Sequence, residues 1–343
     1  MAGIRATAPG KLVIAGEYAV LYGGSAIAVA VGRRAEARLN TGGECSELHI
    51  ANTEERYGFE LTRSALQWHQ DPGAQGDLLE AAVTVLSASG AELSKLAPFT
   101  LQLCSREFYT VKDAVTAKLG LGSSAAIAVA LSSCLQHAVG ERPDVATALA
   151  VHREFQSGQG SGIDVCTSYY GGTIALAADN GGDSATVRPI VWPEQLHILP
   201  VWTGRTASTA AMLQHLNKYA VTQPAQHAEL ISSLSARSAA VLHACTDEAD
   251  VTALLTSLIA FTEELRAFDD ATGLGIWSAE HIALAQLADK AGLVYKPSGA
   301  GGGDFGLAFA TDREMLATFQ DSAERAGFGC PALELGVDGL ELG

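Results

Sequence analysis

The chain has 343 residues, a length that predicts two domains, or one large α/β unit, with enough chain for a sizeable core. Its composition is ordinary for a globular protein, with 48% hydrophobic and 17% charged residues. The formal net charge of −16 argues against nucleic acids and anionic membranes as partners. An anionic substrate would therefore need a local basic pocket.

The cysteines and the first residues of the sequence predict the cellular location of the protein. Six cysteines are scattered without C-x-x-C spacing, and several lie in apolar runs, which predicts reduced, buried thiols. The first residues contain no apolar signal segment, and no run reaches the roughly 18 apolar residues of a membrane span. We therefore expect a cytoplasmic protein without a membrane partner. Its oligomeric state stays open, with a homodimer as one alternative.

The first half of the chain predicts a mixture of strands and helices. Alternating polarity and turn residues predict strands at 4–16 with a turn at Pro9-Gly10, at 33–40, in a polar hairpin over 41–63, at 99–103 and at 173–177. Helical spacing predicts helices over 76–89 and 144–157, and Asp144 is the expected N-cap of the second.

The second half predicts many helices and few strands. Asp179–Asp183 (DNGGD) is the most linker-like stretch, so we predict two domains, 1–185 and 186–343. Strands are expected at 187–191 and 196–202, and helices at 209–220, 225–245, 248–269 and 278–291. This pattern predicts helices packed on one sheet.

A glycine-serine loop, Lys118-Leu-Gly-Leu-Gly-Ser-Ser-Ala-Ala126, precedes an apolar run in the middle of the chain. Two glycines one residue apart let the backbone approach a ligand closely. The serines offer an N-cap, and the unpaired N–H groups of the following helix form an anion site, for which phosphate is the usual anion. The stretch is neither a Walker A loop nor a complete dinucleotide fingerprint. An ordinary loop before a core helix is the alternative.

Three further stretches carry candidate chemistry. Lys11 and Glu17 lie around tight glycine turns near the chain start, although solvated surface charges are the alternative. Ser161-Gly-Ile-Asp164 places a carboxylate among glycines, where it is a base, a metal ligand or only an N-cap. Lys296-Pro-Ser-Gly-Ala-Gly-Gly-Gly-Asp304, here called the C-terminal glycine loop, precedes an apolar strand, and a flexible turn is its alternative.

Taken together, these stretches resemble the motifs of the GHMP kinase superfamily, which includes galacto-, homoserine, mevalonate and phosphomevalonate kinases. The matching segments are APGKLVIAGEYAVLYGG, KLGLGSSAA and KPSGAGGGDFGLAF, in the family's order and spanning almost the whole chain. The resemblance implies an α+β, two-domain GHMP kinase fold. Its N-terminal domain would be similar to domain 2 of ribosomal protein S5, with a left-handed crossover, and its C-terminal domain would be ferredoxin-like.

Within the superfamily, the flanking residues are most similar to the phosphomevalonate kinase branch. Lys118 precedes the glycine-serine loop, the last motif ends in Gly-Asp304, and WTGRTAST begins at Trp202. The implied activity is ATP-dependent phosphorylation of 5-phosphomevalonate to 5-diphosphomevalonate in the mevalonate route to isoprenoids, with ATP and Mg²⁺. Ser161-Gly-Ile-Asp164 is instead similar to mevalonate kinases, so an alcohol acceptor stays open. A mevalonate-type decarboxylase and a non-catalytic nucleotide-binding regulator of the same fold stay open as well.

The resemblance also assigns roles to individual residues. The expected catalytic residues are Lys11 and Lys118, which offset phosphate charge, and Asp164, a base or orienting carboxylate. Arg205 and Lys296 are further candidate cations, and Glu154, ten residues before Asp164, is an open candidate for magnesium. The expected nucleotide-binding residues are Gly120, Leu121, Gly122, Ser123 as N-cap, Ser124 (also contacting Mg²⁺) and Ala125. The expected acceptor-binding residues are Glu17, Tyr18, Arg205, Ser208, Ser298, Gly299, Ala300 and Gly301.

Overall fold

The computed structural model describes residues 3–62, 65–112, 115–158, 160–178, 185–246 and 250–343. Within these ranges the chain forms fourteen strands and nine α-helices. The strands are β1 (Ile4–Ala15), β2 (Ala26–Thr41), β3 (Ser46–Ile50), β4 (Glu55–Leu61), β5 (Leu66–Trp68), β6 (Phe99–Cys104), β7 (Tyr109–Lys112), β8 (Val115–Lys118), β9 (Thr173–Ala178), β10 (Ala185–Ile190), β11 (His197–Trp202), β12 (Val294–Pro297), β13 (Phe305–Ala310) and β14 (Glu341–Leu342).

The helices alternate with these strands in the first half and dominate the second. They are α1 (Asp77–Ala88), α2 (Ser123–Ala138), α3 (Val145–Phe155), α4 (Ile163–Tyr170), α5 (Thr209–Thr222), α6 (Pro224–Thr246), α7 (Val251–Thr272), α8 (Ala279–Ala291) and α9 (Arg313–Arg325). Helices and largely antiparallel sheets in separate layers make the fold α+β, as predicted. No helix in the described ranges is long and apolar enough to cross a membrane.

A large sheet forms the first half, with the strand order β10-β9-β2-β6-β3-β4-β5 and with β1 paired to β2. Its neighbours are antiparallel except β3 and β6, which run parallel. Helix α2 packs against β1 and β2, and most of its residues are buried, as its apolar sequence predicted. Buried side chains such as Phe59, Leu101 and Leu131 fill the layer between the sheet and its helices.

The predicted turn at Pro9-Gly10 is wrong. Strand β1 continues through both residues, and its register to β2 shifts there, from Pro9 opposite Arg34 to Gly10 opposite Val31. A Pro-Gly pair signals only a local bend. Because β2 offers partners on both sides of that bend, the chain forms a bulge in one strand instead of a turn between two. The predicted hairpin over 41–63 is confirmed as the β3–β4 pair.

The second half contains a three-stranded antiparallel sheet of order β11-β13-β12, against which α8 and α9 pack. The predicted helices are confirmed as α5 to α8, with ends within a few residues of the expected ones. The core on this side is continuous with side chains from the first half such as Ile14 and Val29. The linker-like stretch Asp179–Asp183 lies outside the described residues, so the division at 185 stays a prediction.

The end of the chain returns to the first sheet, an arrangement that the sequence did not predict. Strand β14 pairs with β1, with Leu342 opposite Ala6, and the amide of Gly32 in β2 donates to the carbonyl of Glu334 at 2.9 Å. The last residues therefore cover the edge of β1, which protects that edge from pairing with another chain.

Candidate active site

A cavity of ≈ 390 Å³ lies where the end of β1, the glycine-serine loop, the start of α4 and the C-terminal glycine loop meet. The predicted site residues that line it are Lys11, Glu17, Tyr18, Lys118, Gly120, Gly122, Ser123, Ser124, Asp164, Gly299 and Ala300. The predicted residues Leu121, Ala125, Arg205, Ser208, Ser298 and Gly301 do not line it. The fold thus brings the three motifs together although they are far apart in the sequence.

The glycine-serine loop has the backbone conformation of a tight anion cradle. Gly120 and Gly122 have φ angles of +77° and +79°, in the left-handed region that favours glycine. Helix α2 begins at Ser123 and its N-cap is Gly122, so the prediction of Ser123 as N-cap is wrong. Because the left-handed glycine turns the chain into the helix, the serine is already in the first turn. The amides of Ala125 and Ala126 both donate to the carbonyl of Gly122 at 3.1 Å, so the helical bonds begin there. The N–H groups of Ser123 and Ser124 precede these bonds and remain available beside the cavity.

Leu121 and Ala125 support this loop from the side that faces the core, away from the cavity. Both are fully buried, Leu121 in the core shared by the two halves and Ala125 against the first sheet. The amide of Lys11 donates to the carbonyl of Leu121 at 2.8 Å, which fastens the loop to β1. Their side chains therefore support the cradle instead of facing its contents.

Two lysines bring positive charge to the cavity. The stem of Lys11 passes over Gly122, where an added Cβ would lie 3.2 Å from its Cε, and its Nζ would lie 3.9 Å from a Cβ on Gly299. The Lys11 ammonium therefore lies between the glycine-serine loop and the C-terminal glycine loop. Lys118 is exposed at the same cavity. No ion pair between described residues engages either lysine, so both can attract an anion.

Asp164 supplies a carboxylate from the first turn of α4. The N-cap of this helix is Gly162, with φ +80°, so the reading of Asp164 as an N-cap is wrong. Asp164 lines the cavity together with Ser124 at the start of α2, and its Oδ1 accepts from the amide of Val165 at 3.0 Å. The two side chains come from helices that contact each other, which fixes their relative position.

His152 is a neighbour of the site that the sequence reasoning missed. Its Nε2 lies 3.3 Å from the hydroxyl of Ser124, within hydrogen-bond distance. Burial lowers the pKa of His152, while the nearby Asp164 carboxylate opposes that shift. A histidine inside an Ala-rich helix carries no motif, so only the packing of α3 on α2 identifies it as the residue that orients the Ser124 hydroxyl.

Glu154 is exposed near the end of α3 and does not line the cavity, whereas Gln156 does. Within the described ranges, no group of three or more His, Cys, Asp or Glu side chains is placed to hold a metal ion.

A buried ion pair closes the cavity floor. The Nζ of Lys296 donates to Oε1 of Glu17 and to the carbonyl of Pro297 at 2.7 Å, and both side chains are buried. Burial raises the pKa of Glu17, and the positive charge of Lys296 opposes this shift. Burial lowers the pKa of Lys296, and the negative charge of Glu17 opposes that shift. Oε1 also accepts from the amide of Gly299 at 3.4 Å. Lys296 is thus a structural partner of Glu17 and not a cation facing the cavity.

The C-terminal glycine loop is fastened to β1 and the turn after it. Ser298 Oγ accepts from the amide of Val13 and donates to its carbonyl, both at 2.9 Å. Tyr18, at φ +63°, donates its hydroxyl to the carbonyl of Ala300 at 2.5 Å. Gly301 packs so tightly that a Cβ would lie 2.5 Å from Ile276 Cγ2. Ser298 and Gly301 therefore position the loop.

Arg205 and Ser208 do not reach the cavity, although their neighbours do. Arg205 is exposed and its guanidinium lies 3.6 Å from the carboxylate of Glu280. Ser208 is the N-cap of α5 and accepts from the amide of Ala211 at 3.3 Å. The cavity is lined here by residues such as Thr206 instead.

Asp304 is a further carboxylate of the cavity lining, beside Glu17 and Asp164, and the predicted site did not include it. It ends the C-terminal glycine loop at φ +55° and lies against Gly120, where an added Cβ would be 2.1 Å from Asp304 Cγ. The amide of Ala207 donates to its Oδ1 at 3.4 Å. Burial raises the pKa of Asp304, while this amide and the charges of Lys11 and Lys118 oppose the shift.

Comparison with known proteins agrees with this geometry. Residues 78–172 match the model of the GHMP kinases N terminal domain. A phosphomevalonate kinase from Streptomyces sp. (strain CL190) is 31% identical, covering 88% of this chain and 88% of the relative. A mevalonate kinase from Aeropyrum pernix is 29% identical over 62% of this chain and 61% of its own length.

Solved structures share the fold. A phosphomevalonate kinase from Streptococcus pneumoniae, in complex with phosphomevalonate and AMPPNP, superposes with a TM-score of 0.76 at 17% identity, covering 98% of this chain and 100% of its own. The Lin0012 protein from Listeria innocua gives a TM-score of 0.83 at 23% identity, with 100% and 99% covered. The chain belongs to the GHMP kinase family, and it is a small-molecule kinase.

Proposed function

We propose that this kinase belongs to the mevalonate route to isoprenoids and phosphorylates 5-phosphomevalonate to 5-diphosphomevalonate with ATP. The observation that carries the proposal is the pair of lysines, Lys11 and Lys118, which face one cavity without an ion-pair partner among the described residues. The phosphomevalonate kinase that is 31% identical over most of the chain supports the same acceptor.

The chemistry of a phosphate acceptor fits this charge pattern. A phosphate monoester is already ionised near neutral pH, so its attacking oxygen needs little help from a base. The larger barrier is repulsion between the acceptor phosphate and the transferred phosphoryl group, which positioned cations reduce. Lys11 lies near Gly122 and Gly299 of the two glycine loops, and in this proposal its ammonium group would lie between donor and acceptor. Lys118 would neutralise charge at the rim of the cavity.

The nucleotide phosphates would bind at the glycine-serine loop, because its left-handed glycines and the start of α2 offer unpaired N–H groups. Magnesium typically takes one or two carboxylates, hydroxyls or waters, and phosphate oxygens. Ser124 and Asp164 offer a hydroxyl and a carboxylate at this cavity and therefore fit such an ion. When bound, Mg²⁺ would neutralise charge on the phosphates. His152 would hold the Ser124 hydroxyl in place.

A mevalonate kinase is the second candidate, and Asp164 favours it. An alcohol acceptor must lose a proton during phosphoryl transfer, and a cavity carboxylate can take that proton. The relative from Aeropyrum pernix carries this name. The cavity geometry is compatible with both acceptors, and the two differ in the task that they give to Asp164.

An ADP-release assay with ATP and Mg²⁺ tests the proposal, with mevalonate and 5-phosphomevalonate offered side by side and a reaction without acceptor as the control. We expect turnover on 5-phosphomevalonate. Turnover on mevalonate alone would replace the proposal by the second candidate. Activity on neither acceptor would refute both and direct the search to other small alcohols.

A further inference from the structure

Asp304 has an unusual environment for a residue in a phosphate-binding cavity. The loop before it contains three glycines with positive φ, at 299, 301 and 302, and Asp304 itself has φ +55°. A glycine at position 304 would adopt this conformation without strain, whereas an aspartate tolerates it at a cost. Such strain is maintained where the surrounding structure enforces it, and it is most frequent at functional sites.

The main chain of Asp304 is held firmly by the segment after β11. Its amide donates to the carbonyl of Arg205 at 2.7 Å, and its carbonyl accepts from the amide of Thr203 at 2.9 Å. These bonds, and the contact with Gly120, place the carboxylate directly on the glycine-serine loop. Of the donors in the described residues, only the Ala207 amide reaches its carboxylate, at 3.4 Å to Oδ1.

The charges around the cavity are balanced before any substrate binds. Its charged lining residues are Lys11, Lys118, Glu17, Asp164 and Asp304. Because Glu17 is neutralised by Lys296, two lysines face two aspartates. A free triphosphate at the glycine-serine loop would therefore lie close to the Asp304 carboxylate, with its charge only partly offset. A triphosphate that carries a divalent cation has less negative charge and meets less repulsion.

We propose that Asp304 makes the nucleotide site select metal-bound nucleotide over free nucleotide. This inference rests on the proposed function, because it assumes that the glycine-serine loop binds a nucleoside triphosphate. The Asp304 carboxylate determines specificity because it repels the more negatively charged, metal-free triphosphate more strongly than the metal-bound one. The strained backbone of Asp304 is retained because it holds that charge against the loop.

The test is calorimetric binding of AMPPNP, once with Mg²⁺ and once with EDTA, to the wild type and to Asp304→Asn. Asparagine tolerates the same backbone conformation and keeps an acceptor for the Ala207 amide, so the variant removes only the charge. We expect the affinity ratio of the metal-bound to the free nucleotide to fall on the order of tenfold, mainly through tighter binding of free AMPPNP. Asp304→Gly, which also removes the strain, should shift the ratio in the same direction.

Asp289→Asn is the matched control, because Asp289 is an exposed residue of α8 that does not line the cavity. Its ratio of the affinity for metal-bound AMPPNP to the affinity for free AMPPNP should equal that of the wild type. A ratio unchanged in Asp304→Asn would overturn the inference. Weaker binding of the metal-bound form alone would also overturn it, because Asp304 would then be a metal ligand. If Asp304→Asn leaves the affinity ratio unchanged but the wild type still turns over its acceptor, the inference fails and the proposed function stands. If the wild type binds neither metal-bound nor free AMPPNP, both the inference and the proposed function are refuted.

Discussion

The ammonium group of Lys296 in β12 donates to the carboxylate of Glu17, in the turn after β1, and the two side chains are 0% and 1% exposed. This pair joins the two halves of the molecule beneath the cavity. Because Glu17 also accepts from the amide of Gly299, the pair helps to hold the C-terminal glycine loop next to Lys11. A buried pair adds little net stability, since desolvation offsets the attraction, but breaking it leaves an uncompensated charge.

Replacing one partner of this pair should cost more than replacing both. We expect Lys296→Met to lower the free energy of unfolding by about 3–5 kcal/mol, because Glu17 is left buried with a charge. The double variant Glu17→Gln with Lys296→Met should recover at least half of that loss. Urea unfolding followed by circular dichroism measures both. Equal losses for the single and double variants would mean that the pair is not a charged pair in the folded protein.

Lys11→Met should abolish most of the turnover. The removed ammonium group lies between the two glycine loops, where transition-state charge would develop, so kcat should fall by about 10²–10³, as for the loss of one oxyanion donor. The ADP-release assay measures it. Lys95→Met, at an exposed lysine paired with Glu92, is the control and should retain normal kcat. Near-normal turnover of Lys11→Met would remove Lys11 from this role.

Asp164→Asn separates the two candidate acceptors. With a phosphate acceptor, proton removal is unnecessary, so kcat at saturating Mg²⁺ should fall by no more than about tenfold. With an alcohol acceptor the loss should be about 10²–10⁴, the usual contribution of a general base. The variant is assayed with both acceptors under the same conditions. A large loss on 5-phosphomevalonate would contradict the role proposed for Asp164.

Gly120→Ala and Gly140→Ala share a backbone requirement but differ in their surroundings. Both glycines have positive φ, +77° and +82°, so each substitution should cost roughly 1–2 kcal/mol of stability. A Cβ at Gly140 meets no atom within 4 Å, whereas a Cβ at Gly120 collides with Asp304. We expect normal turnover for Gly140→Ala and a loss on the order of 10² for Gly120→Ala. Similar kinetics of the two variants would show that the contact with Asp304 does not shape the loop.

His281 should make the protein sensitive to acid. Its Nε2 donates to the carbonyl of Gly303 at 2.9 Å, so Nδ1 accepts from the hydroxyl of Tyr295 at 2.8 Å, and the ring is neutral. Burial lowers the pKa of His281 to about 4, below the ordinary 6.5. As the pH falls through 6.5, the unfolded chain therefore takes up the proton first, and stability is lost from there down to pH 4.

Urea unfolding at pH 7 and pH 5 tests this. We expect the His281 contribution to reduce the free energy of unfolding by roughly 2 kcal/mol at pH 5 relative to pH 7. His281→Gln should show a correspondingly smaller pH dependence, although it is less stable at pH 7. His152, whose pKa is also lowered, remains in both proteins and cancels in the difference. Equal pH dependence of variant and wild type would contradict the prediction.

Much of the fold could be predicted because its signals are local. Helical spacing located α1, α3 and α5 to α8 within a few residues, and Asp144 caps α3 by accepting from the amide of Thr147 at 2.9 Å, as expected. The prediction of a turn at Pro9-Gly10 failed because both residues pair with the neighbouring strand β2, which keeps them within β1. The return of the chain end to β1 carries no local signal, since any short extended segment can pair with a strand edge.

The sequence by itself determined the glycine loops and their helix starts, because the left-handed backbone at positions such as Gly120 and Gly122 is accessible to few other residues. Its resemblance to the GHMP kinase motifs also singled out Lys11 and Asp164, and both line the cavity. Only the tertiary structure decided which charges are neutralised. Charge pairing depends on distance in space, so the partnership of Glu17 with a distant lysine has no trace in local sequence.

The same reason separates the residues that face the cavity from those that support it. Arg205 stands in a motif but pairs with Glu280 outside the cavity, whereas His152 stands in no motif and contacts Ser124. In the sequence, Asp304 is only the residue that follows the glycines of the C-terminal glycine loop. Its contact with Gly120 arises from the packing of that loop on the glycine-serine loop. Such contacts depend on tertiary packing, which local sequence patterns do not specify.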